Sequence, residues 1–122
     1  MSKLFFLAIA GALGTVARVA IVEATLRIGA PFPWGTLLVN VLGSFAFGAV
    51  YAATDQSALA GSVRLYALAG FMGAFTTFSS MLFDVSSLAG AGRSGPAALD
   101  LVLHNALGLP ALGAGLPAGR LL

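Results

Sequence analysis

A chain of 122 residues that is 59% hydrophobic and only 8% charged cannot cover a water-facing surface, since soluble domains average roughly 25% charged residues. The mean hydropathy of +1.00 marks an integral membrane protein, and six basic against four acidic residues, with no basic cluster, argue against nucleic acid as a partner. With no cysteine there is neither a disulfide framework nor thiol chemistry.

Four apolar runs follow in chain order, about Leu4–Val22, Trp34–Ala53, Leu65–Phe83 and Ala97–Leu116. Each comes close to the ~20 residues that cross a bilayer. The connections Glu23–Pro33, Thr54–Arg64 and Asp84–Pro96 hold most of the charge and are short. They leave no room for a second domain, so residues 1–122 are expected to form one all-α transmembrane bundle of four helices. Met1-Ser2-Lys3 before Leu4–Ala10 imitates a secretory signal, but the apolar run continues to Val22, which predicts an uncleaved first span.

The first span carries Arg18. A mid-span arginine costs ~2.5–3.5 kcal/mol on insertion scales, so it either faces a cavity or partner, or snorkels to the interface. Trp34 and Tyr51 border the second span as an aromatic belt does. Within it Thr36, Asn40 and Gly43 share one helical face. Asn40 brings two N–H donors that suit an anion, and equally suit an interhelical hydrogen bond of ~1 kcal/mol.

In the third span, Gly70 to Met81 crowds glycines, threonines and serines around Phe75 and Phe78. The stretch reads either as a small-residue packing surface or as a helix broken at membrane depth. Such breaks are tolerated only where protein or water surrounds them, and their freed carbonyls hold ions.

The fourth span places Asp100, His104 and Gly108 on one face, with Pro110 expected to kink the helix. Asp100 is expected as a solvated carboxylate near the span entrance, and His104 as a neutral, hydrogen-bonded side chain. No cysteine or second histidine completes a metal site around it. Phosphate-binding loops, His-x-x-x-His pairs and nucleophile elbows are missing, so the expectation is not an enzyme but a transport or scaffold protein.

Four helices leave little room for an aqueous pathway, which predicts a two-fold dimer closed by small residues. Lys3, Arg64 and Arg120 on one side against Arg27 and Arg93 on the other give almost no orientation bias. Such a chain is expected to insert both ways and pair antiparallel. Two broken third helices would then cross at mid-membrane and offer carbonyls to one shared cation; Na⁺, a hard ion, suits them.

Three segments, Gly14-Thr15-Val16-Ala17-Arg18, Trp34 through Ser44, and Gly70 through Ser80, resemble the Fluc (CrcB) fluoride channels. The resemblance implies an antiparallel, dual-topology dimer in the plasma (inner) membrane, with fluoride pores and a central structural Na⁺. It also implies passive export of fluoride trapped in the cell after entry as HF. The implied Na⁺ ligands are the carbonyls of Gly73 and Thr76. Asn40 would be the pore amide, Phe78 the aromatic that meets fluoride and Arg18 the vestibule arginine. Thr36, Met81, Ser80 and His104 complete the implied pathway. Met81 stands where the family usually has a second phenylalanine; Asp100 and His104 stand where it usually shows Tyr and Ser. The partner is expected to be a second copy, or a homologous subunit. If Asp100 and His104 face the pathway, flux is expected to rise as pH falls through the histidine range.

Two other classes compete. A small multidrug-type exporter has four spans too, but needs a membrane-embedded glutamate, and Glu23 lies at the end of the first span. A non-transporting assembly protein would tolerate substitution at Asn40 and Phe78.

Overall fold

Hydropathy marks the part of a helix that sits in hydrocarbon, and in the computed structural model most helices run beyond it. The structure describes residues 2–29, 31–55 and 60–122; Ala30 and residues 56–59 of the expected connections, with Met1, lie outside the described residues. Helix α1 covers Ser2–Leu26 and takes in Lys3 and Glu23. Helix α2 covers Trp34–Ala53. The third span begins as α3 (Ala60–Val63), widens into a π-helical stretch over Arg64–Met72 and returns to a single turn, α4 (Gly73–Phe75). Thr76 and Thr77 are extended, after which α5 runs over Phe78–Gly90. Helix α6 covers Ser94–Gly119 and continues through both Pro110 and Pro117. Four helical stretches, Ser2–Leu26, Trp34–Ala53, Ala60–Gly90 and Ser94–Gly119, are long and apolar enough to cross a bilayer. Among the described residues helix is the only regular secondary structure, with no strand.

Two expectations need correction. Asp84 does not open a loop. Met81 and Leu88, seven residues apart on one face of α5, are both buried, so the helix continues past Asp84 to Gly90. The turn shrinks to three residues, in which Gly92 takes φ 75° and the Arg93 N–H donates to the Leu88 carbonyl at 2.9 Å. Nor is Asp100 a solvated helix end: it is 0% exposed. Helix α6 starts nearly two turns earlier, at Ser94, and packs Asp100 inward against the other helices.

Helices α2 and α6 form the main packed pair. In hydrocarbon no water is released by bringing helices together, so close backbone approach supplies the attraction. The seam is built for that approach. A methyl group on Gly48 would strike the Leu112 carbonyl, on Gly115 the Phe45 carbonyl and on Gly119 the Ala49 carbonyl. Helix α1 packs instead across the π-helical stretch and α4, with Gly14 pressed on the Phe71 carbonyl. Arg93 ties the α5–α6 turn to the other connection through an Nη1 donation to the Pro31 carbonyl at 2.8 Å. The apolar core is thin, comprising Leu37, Val39, Leu68, Phe75, Met81, Leu88 and Ala97, while Phe5, Val16, Phe83 and Leu109 face outward.

Candidate functional site

The break in the third span is held open by hydrogen bonds. Both the N–H and the Oγ1 of Thr76 donate to the Met72 carbonyl, each at 2.9 Å, which closes α4. The chain then leaves helical geometry, with Thr76 at ψ 156° and Thr77 at φ −153°, ψ 110°. A terminating helix leaves its last carbonyls without intrahelical donors. Thr77 restarts the helix as its N-cap. Its Oγ1 accepts from the Ser80 N–H at 3.2 Å and donates to Ser80 Oγ at 3.0 Å.

That restart frees the main-chain groups of Thr77, and Asn40 on α2 takes both. The Thr77 N–H donates to Asn40 Oδ1 at 2.7 Å, and Asn40 Nδ2 donates to the Thr77 carbonyl at 3.0 Å. Ser44 Oγ donates to the Asn40 carbonyl at 2.7 Å on the same helix. One turn along α2, Gly43 gives the room: a methyl group there would strike Thr76 Cγ2 and crowd Phe75. Asn40 is therefore an interhelical latch, and it keeps a second N–H, because its amide has two and the latch uses one.

Two grooves meet at Thr77. The first is lined by Arg18, Glu23, Thr36, Ser79, Ser80 and Asp84. Arg18 Nε and Asp84 Oδ2 are buried there without hydrogen-bond partners, and Arg18 forms an ion pair with neither acid. The second groove, of about 370 Å³, is lined by Asn40, Ser44, Thr76, Phe78, Met81, His104 and Asn105. Phe78 is 71% exposed, so its own chain leaves most of it uncovered, whereas Met81 is buried. On α6, His104 Nδ1 lies 2.9 Å from the Asp100 carbonyl and 3.2 Å from Asp100 Oδ1. His104 Nε2 and Asp100 Oδ2 are buried without a partner.

The structure thus divides the residues expected to form one pathway. Asn40, Phe78, Met81 and His104 share the second groove; Arg18, Thr36 and Ser80 share the first. Thr36 and Asn40 lie on one face of α2, yet Thr36 lines the first groove and Asn40 the second, with Thr77, which Asn40 holds, lining both. Thr76 lines the second groove and Gly73, which is exposed, lines neither. The sequence reading did not single out Thr77, although a threonine opening a new helix is the favoured cap and was a usable signal. Asp84 follows the third apolar run, where its charge alone predicts the start of a loop and hides its place on α5.

Among the described residues no group of three or more His, Cys, Asp or Glu gathers that could hold a metal. These features define a small multi-pass membrane protein organised around an interrupted span, with main-chain oxygens on one side of the interruption and N–H donors on the other. The family described as CrcB-like protein, Camphor Resistance (CrcB), matches residues 5–116. A relative from Desulforapulum autotrophicum named "Fluoride-specific ion channel FluC" is 41% identical over 122 residues, covering 98% of each chain. One of the same name from Solidesulfovibrio magneticus is 43% identical, covering 100% of this chain and 99% of its own. A third, from Nitrosococcus oceani, is 44% identical over 109 residues, covering 88% and 87%. The chain belongs to the CrcB family.

Proposed function

We propose that this protein is a fluoride channel, not an enzyme, which lets fluoride leave the cytoplasm down its gradient across the plasma (inner) membrane. The observation that carries the reading is Asn40. One N–H holds Thr77 while the other remains for an anion, in a groove that Phe78 also lines. Fluoride is small and strongly hydrated, so a narrow pathway has to replace water with donors. An amide N–H does this directly, and the edge of a phenyl ring carries the positive part of its quadrupole. The relatives' names point the same way.

Two copies in antiparallel orientation make the working unit. The exposed Phe78 lies at the open groove of Asn40, and a second protomer is the cover that such a groove needs to exclude lipid. The carbonyls of Gly73 and Thr76 suit a Na⁺ shared between the copies. They are neutral hard oxygens at the two ends of the single turn α4: Gly73, exposed, opens it, and Thr76 follows it where the chain leaves helical geometry. Bound there, the ion would brace the two interrupted spans against each other. A homologous subunit in place of the second copy would present the same main-chain oxygens.

Fluoride efflux from liposomes carrying the purified protein tests the reading. Efflux far above protein-free vesicles is expected, with chloride-loaded vesicles losing little. Fluoride release at the protein-free rate would overturn it.

A further inference from the structure

Fluoride conduction as proposed above uses Asn40 and Phe78 and leaves a buried pair on α6 without a task. The His104 side chain is 4% exposed and Asp100 0% exposed, and the ring lines the groove of Asn40. Nδ1 is turned toward two oxygens of Asp100, one main-chain and one carboxyl. On the other side of the ring, Nε2 has no partner at all. A buried polar atom left unpaired is costly, so its persistence asks for a ligand or a transient partner.

We propose that His104 Nε2 is a second anion-binding group in this groove, and that it becomes a donor when Asp100 and His104 together hold one extra proton. The proposal rests on the fluoride reading. Without that proton, Asp100 is a carboxylate and the ring carries a single N–H. Both oxygens near Nδ1 then accept, so the hydrogen sits on Nδ1 and Nε2 presents a lone pair, which repels an anion. With the proton there are two arrangements. The ring is an imidazolium beside the carboxylate, or Asp100 is a carboxylic acid donating to Nδ1 while the ring hydrogen resides on Nε2. In both, Nε2 carries the hydrogen and the pair is neutral overall. The outcome at Nε2 does not depend on how the proton is divided, as befits two groups that titrate as one unit.

The surroundings bear on that proton. Helix α6 packs on α2 and α5. The second groove takes no ionisable side chain from α2, whose Tyr51 lies at its far end. From α5, Asp84 is close enough to act on Asp100 through space, though it lines the other groove. Arg18 and Glu23 of α1 also line that other groove, beyond Thr77. An anion at Nε2 and the shared proton therefore bind cooperatively, and each raises the affinity for the other by the same factor.

This chain has one histidine, which makes the test direct. In protein labelled with ¹⁵N-histidine and held in nanodiscs, the ring signals report protonation and tautomer of His104 alone. Adding fluoride is expected to move Nε2 to the protonated form and shift the titration midpoint upward, by about one pH unit for each tenfold preference of the anion for the protonated pair. A midpoint unmoved by fluoride, or an Nε2–H already present at alkaline pH, would overturn the proposal. Currents in planar bilayers provide the second readout, since neutral HF carries none. The parent is expected to pass roughly three- to tenfold more fluoride current near pH 5.5 than near pH 7.5. His104→Gln, whose amide offers an N–H at every pH, is expected to be flat. A flat parent current refutes the switch, whereas no fluoride current at either pH refutes the channel reading and leaves the nitrogen titration to decide this one.

Discussion

The two grooves on either side of Thr77 are built from different chemistry. The first presents Arg18, Glu23 and Asp84; the second presents amides, hydroxyls, Phe78, Met81 and His104, whose Nδ1 is turned toward Asp100. In the proposed reading the difference follows from what each would do with an ion. Full charges act at a distance through water, where two charges at 4 Å interact by about 1 kcal/mol. The same charge in a dry passage would hold an anion far more strongly and delay its exit, and conduction needs binding weak enough to release. In the fluoride reading proposed above, the charged groove would gather the ion and the groove of Asn40 would strip its water and pass it on.

The strongest way to break this contrast is to put a charge in the second groove. Asn40→Asp removes the N–H that holds the Thr77 carbonyl and adds a carboxylate. Fluoride efflux should fall to that of protein-free vesicles, while Asn40→Ser, which keeps a hydroxyl donor, retains a fraction. Normal efflux from monodisperse Asn40→Asp protein would end the assignment of that groove. In the first groove the reverse change should do less. Arg18→Gln should slow efflux several-fold at low salt, with the deficit narrowing at high salt as screening shortens the reach of the charge. A deficit independent of salt would mean that Arg18 meets the ion directly.

Thr77 belongs to both grooves and sharpens the comparison from the middle. Thr77→Val deletes the cap that accepts from Ser80, at a cost of about 1 kcal/mol, seen as a lowered melting midpoint in detergent. Thr77→Ser should restore it. Because Asn40 holds main-chain atoms of residue 77, both variants should still conduct. A complete loss of efflux in Thr77→Val alone would show that the hydroxyl lies on the ion's path.

The membrane class and the number of spans were legible because hydrophobicity over about twenty residues is a bulk signal that nothing else mimics. Asn40 and the Gly70–Met81 stretch were legible for the opposite reason: polar and small residues inside such runs are conspicuous. What composition could not show was direction. The burial of Asp100 and the half-buried position of Asp84 depend on where α5 and α6 begin and end, and charge alone placed both acids nearer to water than they lie. The division of Thr36 from Asn40 between two grooves was equally hidden, because Thr77, a residue of another element, lines both grooves and nothing in α2 itself marks the boundary.

The glycine seam between α2 and α6 has a mechanical consequence. Where peptide groups touch peptide groups, the spacing of two helices cannot relax by changing a rotamer. Asn40 on one helix and His104 on the other are therefore mounted on a single stiff plate. The third wall of their groove, α5, is fastened differently. Its leading end hangs on two extended residues and on the pair of hydrogen bonds from one asparagine. A movement of α5 against that plate would change the width of the passage, and the two Asn40–Thr77 hydrogen bonds are what ties its leading end to α2.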